Sequence, residues 1–161
     1  MKKLSLFLFS LFLILSPIQN VHAATFAATI SGPSQITAGQ EFTVTVGVTN
    51  VTNMMGMSSE WYYDSAKLTL VSSTGLNDFT LTLGTKLVVD RLNGKSGTFN
   101  VASIVFRAKT SFALGQTALV WVNNSSYSNG TSDINDLTKR QVSIKMVSDN
   151  SYLKTLTVSA G

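Results

Sequence analysis

The sequence predicts an all-β protein, a sandwich or jelly roll of eight or nine short strands. Apolar and polar residues alternate with period two, turn-forming residues interrupt these runs roughly every 8 to 12 positions, and no amphipathic helix of useful length is present. Taken in order, residues 27–31 form the first alternating run, closed by Gly32-Pro33, and Ala38-Gly39 makes the next turn. Over 41–48, Phe42, Val44, Val46 and Val48 share one face while Thr43, Thr45 and Gly47 share the other, which is a half-buried strand. Over 57–63, Trp61 and Tyr63 fall opposite Tyr62, and after a turn at Asp64-Ser65 the pair Leu68 and Leu70 begins another strand. Further strands are expected at 79–83, 86–90, 98–109, 117–123 and 140–147, separated by Asn93-Gly94, Gly115 and Asn129-Gly130. The nearly unbroken apolar stretch 101–106 reads as a central strand buried on both faces. No internal repeat is visible.

The N-terminus has a different composition. Lys2 and Lys3 precede an apolar run from Leu4 to Leu15, Pro17 breaks it, and Val21-His22-Ala23 supplies a small-x-small cleavage site, so residues 1–23 read as a signal peptide and the protein as secreted. The run is too short to span a hydrocarbon core that needs about 20 residues, and no later stretch is apolar enough to do so. Cleavage removes two lysines and the single histidine. The formal charge then falls from +4 to +2, with the remaining charges scattered singly, which argues against nucleic acid despite a pI near 9.5. There are no cysteines, hence no disulfides, and a domain of about 120 residues must be held by its core alone. The Thr-, Ser-, Asn- and Gly-rich composition with 12% charged residues fits an extracellular protein of bacterial type. The expected organisation is a signal peptide at 1–23, one β-sandwich domain at 24–147, and a tail at 148–161. The tail's polar Ser148-Asp149-Asn150-Ser151 leads into Tyr152, Leu153, Leu156 and Val158, read as the start of a further module or else an edge strand.

Chemistry is constrained by what the mature chain lacks. Without histidine or cysteine it has no usual base for a serine nucleophile and no zinc or copper ligand set, so no enzyme activity and no cofactor are expected. Two glutamates and six aspartates, several at turns, read as solvated surface rather than a glycosidase pair. The segment Ser132-Asp133-Ile134-Asn135-Asp136 offers oxygen ligands from Asp133, Asn135 and Asp136 for calcium, but without the glycine and distal glutamate of an EF-hand loop; the alternative is a polar turn held by Asx hydrogen bonds. Exposed aromatic residues serve both protein and sugar recognition. The candidates are Trp61, Tyr62, Tyr63, Trp121 and Tyr127, of which Tyr127, in the polar stretch 123–130, is expected to be the most exposed.

The ordered features resemble the bacterial cohesin domain over about residues 27–147. They are Thr37-Ala38-Gly39-Gln40-Glu41-Phe42-Thr43-Val44, Asn50-Val51, Gly56, Trp61-Tyr62-Tyr63-Asp64 with Lys67-Leu68, Ala102-Ser103-Ile104-Val105-Phe106-Arg107-Ala108-Lys109, and Gly115-Gln116-Thr117. Ser65 stands where the family usually has proline, and residues 112–135 carry no obvious copy of a partner-binding signature. The tail from Asn150 resembles the first strand of cadherin-like modules of bacterial surface proteins. The resemblance implies a nine-stranded jelly roll related in fold to carbohydrate-binding modules. It also implies a noncatalytic function, docking a dockerin-like helical module in an extracellular or cell-surface assembly concerned with polysaccharide. By family position the strands 57–63, 86–91 and 98–109 are expected to carry the partner, adding Lys86 and Arg91 to the aromatic candidates. Two other readings stay open: direct polysaccharide binding by a coplanar strip of Trp61, Trp121 and Tyr127, and a structural spacer in a surface stalk.

Overall fold

The computed structural model describes residues 25–149; the signal-peptide expectation and the tail from residue 150 lie outside the described residues. Nine strands follow in order: β1 (Ala27–Ser31), β2 (Gln35–Ile36), β3 (Glu41–Tyr63), β4 (Leu68–Gly75), β5 (Thr80–Leu83), β6 (Lys86–Ala108), β7 (Thr117–Ser128), β8 (Asp133–Asp136) and β9 (Arg140–Met146). All are hydrogen-bonded into one nine-stranded sheet folded over on itself as a jelly-roll sandwich.

Two long strands, β3 and β6, make the fold-over. In β3, residues 45–49 pair with β1 on one side and 41–48 with 99–107 of β6 on the other, while 56–60 pair with 86–90 of β6 and 56–63 with β7. Each long strand therefore begins in one layer and ends in the other. The corner in β3 is made by Asn50 and Asn53, both in the left-handed region at φ 56° and 52°, a conformation that asparagine tolerates better than β-branched residues. In β6 the residues 91–94 bulge out between the pairs Gly56↔Asp90 and Met54↔Lys95, which leaves Leu92 exposed. Asn93-Gly94 thus marks a corner within one continuous strand instead of a turn between two.

Alternation places Phe42, Val44, Val46 and Val48 inside, as their spacing predicts, facing Met57, Leu87, Val89, Val120, Val122 and Ile144 from the other layer. The stretch 101–106 is central, flanked by β3 and β4, with Phe106 fully buried against Phe42 and Tyr63, but it is not buried on both faces as its composition predicts: Ser103 and Val105 are half-buried on the outer side of the layer. The Asp64-Ser65 turn forms, with Asp64 Oδ1 accepting the Ala66 amide and Oδ2 pairing with Lys67 Nζ at 2.9 Å. Two departures extend the expected strands. β7 runs on to Ser128 through a bulge at Asn124 (φ 47°), and 133–136, expected as a loop or polar turn, is the strand β8 paired with 125–128.

The chain's two ends are joined by a split first strand. β1 pairs antiparallel with β3 in one layer, and after Gly32-Pro33 the next segment, β2, pairs parallel with β9 in the other. Beyond this point β1 and β9 separate. The Asp136 carboxylate bridges them, accepting the Ala28 amide at 3.1 Å and the Thr138 amide at 3.0 Å and lying 3.5 Å from Arg140, whose Nε donates to the Ala28 carbonyl. Burial by itself would raise the Asp136 pKa, but the bonds from Thr138 and Ala28 and the charge of Arg140 outweigh it and hold the pKa below the usual aspartate value.

Candidate functional site

The layer made by β5, the first part of β6, the second part of β3 and β7 presents one outer face. Its side chains follow from the pleat: Met57 and Ser59 are buried and Trp61 and Tyr63 lean on the core, so Ser58, Glu60 and Tyr62 point away from it. Strand pairing assembles them into rows. Tyr62 lies beside Trp121; Glu60 beside Lys86 and Asn123; Ser58 beside Val88 and Ser126; Gly56 beside Asp90 and Ser128. At the first end the Tyr62 and Trp121 rings stack at 5.4 Å and 19°, with Lys139 Nζ 4.6 Å from the indole centroid. In the middle Asn123 Nδ2 donates to Glu60 Oε2 at 3.2 Å.

The far end is an open groove of about 200 Å³ between Gly56, Ser58, Val88, Asp90, Ser126, Ser128 and Asp133. Its floor depends on Gly56, because a Cβ there would sit 2.8 Å from Asp90 Oδ1 and 3.1 Å from the Val89 carbonyl. Small hydroxyl side chains line the walls and two exposed carboxylates, Asp90 and Asp133, stand at the rim. Such a face can seat another protein's ridge and meet a positive charge at one end and an apolar or planar group at the other.

The expected site residues separate into four groups. Tyr62, Trp121 and Lys86 share this outer face. Trp61 and Tyr63 lie on the inner side of β3, stacked at 5.5 Å, with Trp61 Nε1 donating to the Gly84 carbonyl at 2.8 Å. Arg91 sits on the β6 bulge, 5.3 Å over the Phe79 ring and 3.8 Å from Asp78, its Nε buried without a hydrogen-bond partner. Tyr127 corrects the expectation of exposure. It is 4% exposed, edge-on to Phe26 at 4.8 Å, and its hydroxyl accepts the Thr52 amide at 3.3 Å. The bulge at Asn124 resets the alternation so that Ser125 and Tyr127 both turn inward. The coplanar strip of Trp61, Trp121 and Tyr127 is therefore not formed.

Of the three strands expected to carry a partner, 57–63 and 86–90 share the face, whereas 98–109 belongs to the opposite layer, its Ser103, Val105 and Arg107 turned outward there. Ser126, Ser128 and Asp133 take its place. Period-two reading continued from Val120 and Val122 puts the two serines on the inner side, and only the bulge at Asn124 turns them outward; nothing local marks Asp133. The suggested calcium ligands do not converge either. Asp133 rims the groove while Asp136 is buried and held by Ala28, Thr138 and Arg140, and among the described residues no group of three or more His, Cys, Asp or Glu side chains could hold a metal ion. No helix among the described residues is long and apolar enough to cross a membrane.

The chain is thus a jelly-roll sandwich with an open groove on one outer face. A family model for the cohesin domain matches residues 26–146, three quarters of the sequence, and the chain belongs to that family. Solved structures agree on the fold. A cohesin module from a Clostridium perfringens family 33 glycoside hydrolase superposes with TM-score 0.66 at 13% identity, over 78% of this chain and 98% of the module. The sixth cohesin of Acetivibrio cellulolyticus scaffoldin B, solved in complex with a dockerin, gives 0.62 at 17% identity over 76% and 99%. A non-cellulosomal cohesin from the archaeon Archaeoglobus fulgidus gives 0.61 at 17% over 83% and 99%. No curated protein sequence matches.

Proposed function

We propose that this chain is an exported, noncatalytic docking module whose outer β5–β6–β3–β7 face receives a dockerin-like helical module, in an extracellular or cell-surface assembly associated with polysaccharide. The observation that carries the reading is the open groove at Gly56, Ser58, Asp90, Ser126 and Asp133 on this face. Membership of the cohesin family supports it, as does the dockerin bound to the Acetivibrio relative. The basic, apolar, small-residue pattern of residues 1–23 supports export, and the domain is read as 24–147 with the tail 148–161 leading to a further module.

The test is calorimetry or surface capture with dockerin modules encoded in the same genome. Ser58→Arg fills the groove and Asp90→Lys reverses the rim charge. Each is expected to weaken capture by about tenfold or more, because each removes a central contact. Val105→Lys, on the outer side of the opposite layer, leaves capture unchanged. Failure of every dockerin, or capture indifferent to Ser58→Arg, removes the proposal.

A further inference from the structure

A second concave feature lies at the other end of β3. β6 begins at Lys86, opposite Glu60, but β3 continues to Tyr63, so Trp61, Tyr62 and Tyr63 have strand partners on the β7 side alone: Val122, Trp121 and Val120. The Gly84-Thr85 turn stands across the resulting notch, tethered by the Trp61 Nε1 bond to the Gly84 carbonyl, and Ser65 from the following turn adds a further wall. The groove measures about 310 Å³ and is lined by Trp61, Tyr62, Tyr63, Ser65, Gly84 and Thr85.

We infer that this notch binds one or two rings of a neutral saccharide. Three of its six lining residues are aromatic, two carry aliphatic hydroxyls, and none is charged. A flat ring face suits the C–H face of a pyranose, and the hydroxyls of Tyr62, Tyr63, Ser65 and Thr85 can exchange hydrogen bonds with a polyol. A phosphate, carboxylate or metal ion entering the notch would meet no compensating charge from its lining. The rings are fixed in advance: Trp61 stacks on Tyr63, and Tyr62 on Trp121, while Tyr62 still keeps 44% of its surface exposed. The volume lies at the small end of ligand pockets, roughly 300–1,000 Å³, which suits a chain end or short oligosaccharide. The notch is six residues along β3 from the groove at Gly56, about 20 Å, and none of its lining residues lines that groove, although Tyr62 belongs to the same outer face.

The experiment is a two-dimensional NMR titration of the folded domain with cellobiose, xylobiose, maltose and lactose, and with glucuronic acid as the charged control. Tryptophan fluorescence of a Trp121→Phe variant follows Trp61 alone. At least one neutral sugar is expected to shift the amides of 61–65 and 84–85. Tyr62→Ala, at an exposed position, should weaken that sugar by about tenfold while leaving the remaining spectrum folded. Asp90→Lys should leave sugar binding unchanged even where it abolishes dockerin capture. The inference is overturned if none of the four sugars moves these amides, if Tyr62→Ala binds as well as the parent, if glucuronic acid binds equally, or if the same amides respond to a dockerin and to no sugar.

Discussion

At Asp136 a single buried carboxylate does the work of missing backbone pairing between β1 and β9. Its folded pKa lies below the ordinary aspartate value of 3.8, so the ionised form favours the fold. The contribution is complete above that value and is lost as the pH falls through the lower, folded one. Asp136→Ala should cost about 1–3 kcal/mol at neutral pH, with the gap to the parent closing on acidification, as urea titrations over a pH series would read. A second buried pair behaves differently. Ser59 Oγ donates to Ser125 Oγ at 2.7 Å with both residues fully buried. Ser59→Ala alone strands the Ser125 hydroxyl and should cost about 1–3 kcal/mol, whereas the double alanine variant should cost less than the sum of the two singles. These pairings could not be read from sequence, because they join residues 108 and 66 positions apart. Tyr127 was misread for a related reason: a polar neighbourhood predicts exposure only while the alternation is unbroken, and one left-handed asparagine changed its phase.

Among the elements, period-two patterning located most strands because it is a local consequence of burying one face. Phe42 to Val48, Ala118 to Val122 in β7 and the inward residues of β9 lie where alternation puts them. It did not show that β3 and β6 each serve two layers, since a corner inside a strand looks like a turn between strands. The left-handed Asn50 tests this corner. Asn50→Gly should be tolerated, while Asn50→Val should lower stability by about 1–2 kcal/mol, measured by thermal unfolding. The candidate face was half visible for the same reason. Residues 57–63 and 86–90 could be assigned to it, but the contribution of 126–133 depends on a bulge and on pairing with β8.

For the whole molecule, the strand order β2-β9-β7-β3-β6-β4 requires closing pairs far apart in sequence, such as Gln35 with Lys145. Refolding is therefore expected in milliseconds to seconds rather than microseconds, which stopped-flow tryptophan fluorescence would measure. With no cysteine in the sequence, the unfolding midpoint should be the same with and without reductant. The pairing of β2 with β9 also has a mechanical consequence. The two strands are parallel neighbours drawn from opposite ends of the domain's sequence, with Lys145 and Val147 amides donating to the Ser34 and Ile36 carbonyls, both at 2.9 Å. Tension applied before β1 and after β9 pulls these strands in opposite directions along their own axes. The bonds are then loaded together in shear instead of opening one at a time. Under such tension this short seam takes the load once β1 has come away from β3, and force spectroscopy of an Ile36→Pro variant should show the seam failing at lower load.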